Sequence, residues 1–226
     1  MAKKKKNSNY VTAKTTEKKE AATKQKVATE KKKRVKGIVL GVSVAVVILA
    51  ALFAIIYFGG GFDYVPDVTD HVEMYLGDNN EYFHVDLYGK DAPKTVAHFR
   101  ELMKDDYYVG KGSTAIIGGN VYFGDVETGK TGPKGEFKAN GVENKIPIRV
   151  GSLVMARGED YDSAYGRFFI VTEDTDISKL EGNYAVFGRV TEGMDKLMEM
   201  LDAITPNADG TIPESEQIKI NSLESH

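Results

Sequence analysis

The chain has 226 residues, 42% of them hydrophobic, enough for one ordinary domain with appended segments. It contains no cysteine, which excludes a disulfide framework, a thiolate metal site, a cysteine nucleophile and a lipidated amino-terminal cysteine. The net charge of −3 conceals a division: residues 1–36 hold 14 Lys+Arg against 3 Asp+Glu (net +11), and the remainder 16 against 30 (net −14).

The basic segment 1–36 has 13 lysines, one arginine and a single aromatic, Tyr10. That composition suits a solvated cytoplasmic tail touching anionic lipid better than a nucleic-acid arm. Residues 37–58 follow, 22 positions from Gly37 to Phe58 without a charge. As a helix they would extend ~33 Å, enough for a ~30 Å hydrocarbon core. The run is longer than the apolar part of a cleaved signal peptide and lacks a small-residue cleavage site, so it reads as an uncleaved transmembrane signal anchor. Lys31, Lys32, Lys33, Arg34 and Lys36 flank it on one side, Asp63 and Asp67 on the other. The positive-inside rule then places the amino terminus in the cytoplasm and the following domain outside a cell membrane crossed once. Residues 59–70 form a glycine-containing linker and residues 71–226 the domain.

In the domain, His71–Leu76 and Tyr82–Leu87 alternate as strands around the turn residues Gly77-Asp78-Asn79-Asn80. Asp91 stands where a helix amino-cap is expected, before Pro93, and Val96, Phe99, Leu102 and Met103 make one apolar face of a helix over 92–103. Short strand-like segments follow at 115–117, 120–123, 135–137, 152–156, 168–171 and 185–190. A second helix is predicted over Met194–Leu201, and residues 217–223 alternate as a closing strand. Many short strands with two helices predict a mainly β fold, an antiparallel barrel capped by helices.

Three motifs fail on context. Residues 124–131 match the phosphate-cradling pattern G-x-x-x-x-G-K-[ST], but Gly132-Pro133 cannot open the helix such a loop requires, so a surface loop without nucleotide is expected. His71, His84 and His98 lack the spacing of a metal site, and no metal or cofactor is expected. Asp160, Asp162 and Ser163 lie close in sequence, but no nucleophile elbow accompanies them.

The most informative stretch is RFFIVTEDTDISKLEGNYAVFGRVTEGMDKL, from Arg167 to Leu197, with DLYGKDAPKTVAHF from Asp86 to Phe99 and the segments GEFKANGVEN and VMAR. Together these resemble the cyclophilins, the peptidyl-prolyl cis-trans isomerases. The resemblance implies a closed eight-stranded barrel with two capping helices, and activity on proline-containing or extended polypeptides. Isomerisation needs no metal or nucleophile. It needs an apolar slot for the proline ring, anchors for flanking backbone, and a donor that stabilises the twisted amide against its ~18–20 kcal/mol rotation barrier.

Carried over by position, the resemblance assigns Phe169 to the slot floor, Leu180 and Val121 to its lining, and Met155, Ala156 and Arg157 to the backbone-binding segment. Tyr184 falls where the family has histidine or tyrosine. The polar half departs. In STAIIGGNVYFGD, Ala115 stands at the catalytic arginine, Thr114 at the histidine before it, Asn120 at a slot phenylalanine and Phe123 at a glutamine. Arg167 replaces another glutamine, and Lys179 a tryptophan present in some members. Arg167 is therefore the candidate replacement donor, entering the room left at Ala115; the alternative is solvent, or an ion pair with Glu159 or Asp162. Three functions stay open: a membrane-tethered isomerase for exported proteins, a binding module that holds peptide without turnover, and a surface protein without groove function.

Overall fold

A computed structural model describes residues 64–226 except 127 and 128, together with residues 26 and 29–33, which are helical. Residues 37–58, read as a transmembrane anchor, lie outside the described residues. Among the described residues no helix is long and apolar enough to cross a membrane.

Among the described residues from 64 onward, eight strands and two α-helices follow in chain order. They are β1 (Asp70–Leu76), β2 (Glu81–Leu87), α1 (Pro93–Lys104), β3 (Ser113–Ile117), β4 (Asn120–Phe123), β5 (Ser152–Met155), β6 (Phe168–Ile170), β7 (Val186–Glu192), α2 (Met194–Asp202) and β8 (Ile220–Ser225). One antiparallel sheet contains all eight in the order β3-β4-β6-β5-β7-β2-β1-β8. Alternation along β1 and β2 explains their pairing. Val72, Met74 and Leu76 bury one face opposite Val85, Phe83 and Glu81, while His71, Glu73 and Tyr75 turn outward.

The sheet curls but does not close as a barrel, contrary to the expectation from sequence. No ladder joins β3 to β8. The seam is crossed by isolated bridges, Gly112–Lys219 and Ala115–Thr211, and by single bonds such as Ser113 N–H to Ile218 O at 2.9 Å. Pro213 and the 3₁₀ turn Glu214–Glu216 break the chain just where a continuous closing strand would run. The last strand accordingly starts at Ile220, later than predicted. Residues 135–137 also form no strand; they lead into a 3₁₀ turn at Lys138–Asn140. No helix begins at Thr131, in keeping with a loop at the phosphate-like motif.

Inside the curl, Phe168 stacks on Phe123 (centroids 5.7 Å, 16°) and meets Phe99 of α1 edge-on at 5.7 Å. Tyr108 and Phe187 complete the aromatic centre. Helix α1 is seated on this cluster by Val96, Phe99, Leu102 and Met103, the face expected from spacing.

The cap of α1 differs from expectation. Its N-cap is Ala92, with no side-chain bond from its own neighbourhood, and Asp91 instead accepts a hydrogen bond from the Tyr64 hydroxyl. The capping carboxylate comes from Glu136, only 3% exposed. It accepts from Lys94 N–H (3.1 Å), Thr95 N–H (2.8 Å) and the Thr95 hydroxyl (2.7 Å). These are orphan donors of a first helical turn, and the anion also meets the positive end of the helix dipole. Glu136→Ala should therefore destabilise the domain by ~2–3 kcal/mol, since buried donors lose a charged acceptor. A urea unfolding midpoint unchanged by this substitution would refute that role.

Candidate active site

The outward face of β4–β6 carries the candidate site. Directly paired residues of an antiparallel ladder share a face. Tyr122 pairs with Phe169, and Val154 pairs with Phe169 from the other side. Their neighbours Val121 and Phe123 pair with Ile170 and Phe168 and point into the core, as does Met155 opposite Phe168. The placement of Val121 and Met155 at the slot is thus corrected. Counting in step from Ala115 put Val121 beside Phe169, whereas the ladder puts Tyr122 there. One residue of offset exchanges every side chain between faces. The hairpin that sets this register turns at Gly118 and Gly119 (φ 58° and 82°), the left-handed pair of a two-residue loop.

Phe169 is fully covered. The Tyr122 ring lies on it at 5.0 Å, and Tyr184 meets it edge-on at 5.6 Å. Leu180, at the end of the 3₁₀ turn 177–179, is buried in the same apolar cluster. Asn120 does not reach for ligand. Its amide donates to Ile117 O at 3.3 Å and its carbonyl accepts from the Thr175 hydroxyl at 3.1 Å, tying the hairpin to the loop after β6.

Arg167 lies beside this patch, just before β6. Its Nη2 donates to Thr114 Oγ1 at 3.1 Å, and the guanidinium stacks over Tyr122 at 4.6 Å. Its Nε is buried without a hydrogen-bond partner. Thr114 reaches it from an irregularity in the β3–β4 ladder between Ser113 and Ala115, a bulge that re-aims one side chain. Burial lowers the pKa of Arg167, against opposing effects of Tyr122 and Asp125, yet a guanidinium stays charged. Burial likewise raises the pKa of the Tyr122 hydroxyl. Of the two acids named as ion-pair alternatives, Asp162 is engaged elsewhere: it accepts from Gly135 N–H at 3.1 Å and Asn140 Nδ2 at 2.7 Å. Ala115 itself is 1% exposed, so Arg167 settles against the neighbouring Thr114 rather than in an open hole.

A recess of about 190 Å³ adjoins this cation, with Tyr122, Asp125, Ala156, Arg157, Tyr165 and Arg167 in its wall. Arg157 is held rigidly: Nε donates to Asn183 O at 3.2 Å, Nη1 to Gly158 O at 2.8 Å, and its plane stacks at 4.7 Å on Tyr161 and 4.8 Å on Tyr184. Sequence reasoning missed Tyr122, because no local feature shows which of three consecutive residues faces outward.

The structure brings together Arg167, Thr114, Tyr122, Ala156, Arg157, Phe169 and Tyr184, and leaves Val121, Phe123 and Met155 on the opposite face. The curled eight-stranded sheet thus carries an aromatic patch and a half-buried cation on its outer face. Residues 71–225 match the family model described as "Cyclophilin type peptidyl-prolyl cis-trans isomerase/CLD". The chain belongs to the cyclophilin-type peptidyl-prolyl isomerase family.

A peptidyl-prolyl cis-trans isomerase of Acinetobacter baylyi is 32% identical over 120 residues, covering 49% of this chain and 62% of that protein. Peptidyl-prolyl cis-trans isomerase B of Bacillus subtilis is 34% identical over 122 residues, covering 53% and 82% respectively. A Cryptosporidium parvum cyclophilin-type isomerase, solved in the presence of the dipeptide Ala-Pro, shares the fold with a TM-score of 0.57 at 21% identity, over 69% of this chain and 98% of that one.

Proposed function

We propose that this chain is a membrane-tethered, extracytoplasmic prolyl isomerase assisting bacterial exported proteins, with Arg167 as the donor to the twisted amide. One observation carries the catalytic assignment. A half-buried guanidinium with an unused Nε adjoins Tyr122, which lies on Phe169. A partly desolvated, preorganised cation stabilises developing lone-pair density on the prolyl nitrogen far better than one in water. Tether and orientation rest on the uncharged run 37–58 and on the charge contrast across it.

The catalytic test is acceleration of a proline-limited refolding reaction by the purified full chain. Measurable acceleration is expected, and its absence rejects the enzyme. For the topology, protease added to spheroplasts should remove the domain and spare the lysine tail. Protection of the domain until the membrane is breached rejects the orientation.

A second reading is favoured by the complete burial of Phe169. A proline ring reaching that floor must displace Tyr122 or Tyr184, and a groove so covered fits a module that holds extended peptide without turnover. Peptide binding without acceleration of refolding selects this reading.

A further inference from the structure

On the outward face of β1 and β2, three ligating atoms converge. His71 Nδ1 lies 2.8 Å from Asp86 Oδ1, His84 Nε2 lies 3.3 Å from the same oxygen, and the two ring nitrogens are 3.2 Å apart. We propose that His71, His84 and Asp86 form a binding site for a divalent late first-row metal ion, of which Zn²⁺ is the representative. The triad is assembled by pairing. His71 stands directly across from Asp86, and His84 is two residues before Asp86 on the same face. A register shift against β7 between His84 and Val85 marks a local bend at this point.

Two physical arguments favour a cation over a plain hydrogen-bond network. The first is geometric. Ligand atoms ~2.0–2.1 Å from Zn²⁺ lie about 3.3 Å apart at a tetrahedral angle and about 2.9 Å apart at a right angle. The observed separations of 3.2 and 3.3 Å fall on that range, and the 2.8 Å between His71 and Asp86 lies at its short end. The second concerns protons. If both nitrogens carried hydrogens toward Asp86, the two N–H groups would crowd each other across 3.2 Å. One ion at the centre accepts all three lone pairs at once.

The periphery suits the same assignment. The Tyr82 hydroxyl lies 3.2 Å from His84 Nδ1, the nitrogen turned away from the triad. Ligating histidines are commonly fixed through that second nitrogen. The side chains of His71, His84 and Asp86 are 54%, 27% and 17% exposed, which leaves the outer coordination positions to water. Two imidazoles and one carboxylate select zinc-like ions over Mg²⁺ or Ca²⁺, which take oxygen ligands. The triad lies on strands separated from β6 by β5 and β7, apart from the peptide groove. A metal there would staple β1 to β2.

The neighbouring group Glu73, Glu224 and His226 offers one imidazole, with His226 Nε2 at 3.7 Å from Glu73, and is the weaker ligand set.

The test is titration of the full chain in detergent with Zn²⁺ against a chromophoric chelator, with Co²⁺ as a spectroscopic probe. One ion per chain, a visible Co²⁺ ligand-field band and a raised unfolding temperature are expected. His71→Ala and His84→Ala should each weaken binding more than ~100-fold, and Tyr82→Phe ~10-fold, as for ligands and their outer partners. His226→Ala should leave it intact. The proposal is overturned by absence of saturable binding, by binding that survives both His71→Ala and His84→Ala in chains that retain the wild-type fold by circular dichroism, or by loss in His226→Ala alone.

Discussion

Arg167→Ala should slow catalysed prolyl isomerisation by ~10²–10³-fold, the typical cost of removing one preorganised transition-state donor. A donor that acts on the twisted amide adds little to ground-state binding, so the loss should fall on kcat more than on KM. Arg167→Lys tests geometry as well as charge. An ammonium restores the charge but not the planar group that stacks on Tyr122 at 4.6 Å while donating to Thr114 at 3.1 Å. Intermediate activity is therefore expected of lysine. Progress curves from a proline-limited refolding substrate, compared at equal concentrations of folded protein, provide the measurement. An unchanged rate in Arg167→Ala removes this residue from the mechanism.

Phe168→Ala should destabilise the domain by ~3–5 kcal/mol, the range for deleting a buried aromatic side chain. Phe168 is fully buried and touches Phe99, Tyr108, Phe123 and Phe187, which come from α1, the α1–β3 segment, β4 and β7. The cavity would thus open between four elements that cannot collapse together without shifting the sheet. For a domain of this size the loss corresponds to a fall of roughly 10 °C or more in Tm. The neighbouring Phe169→Ala should behave differently. It removes the floor beneath Tyr122 and Tyr184 at the outer face, so peptide affinity should fall as well as stability. Calorimetry and peptide titration on both variants separate the two faces of one strand. Equal effects of the two substitutions on peptide affinity would contradict the assignment of faces.

Much of the architecture was legible locally. Alternating burial in His71–Leu76 and Tyr82–Leu87, the apolar face of α1 and the start of α2 at Met194 all follow from side-chain periodicity, which the chain carries within a few residues. The family was legible for a related reason: runs such as Arg167 to Leu197 bring several constrained positions together in one stretch. The charge division and the uncharged run 37–58 likewise belong to composition alone. The site was legible only in part. Phe169 belongs to the paired phenylalanines and Arg167 directly precedes them, so both stand out in the sequence, whereas the position of Tyr122 beside Phe169 depends on the ladder.

What tertiary structure decided is what depends on partners distant in the chain. The pairing of Tyr122 with Phe169 determines which of β4's residues face outward, and a pleat of period two makes that decision absolute. Glu136 caps a helix 41 residues earlier in the chain, in place of the adjacent Asp91, because the loop carrying it folds across the amino end of α1. His71 and Asp86, 15 residues apart, meet only because β1 and β2 pair in one register. Local propensity sets the period of each element. Register, closure of the seam and the company each side chain keeps are set by the packing of whole strands against one another.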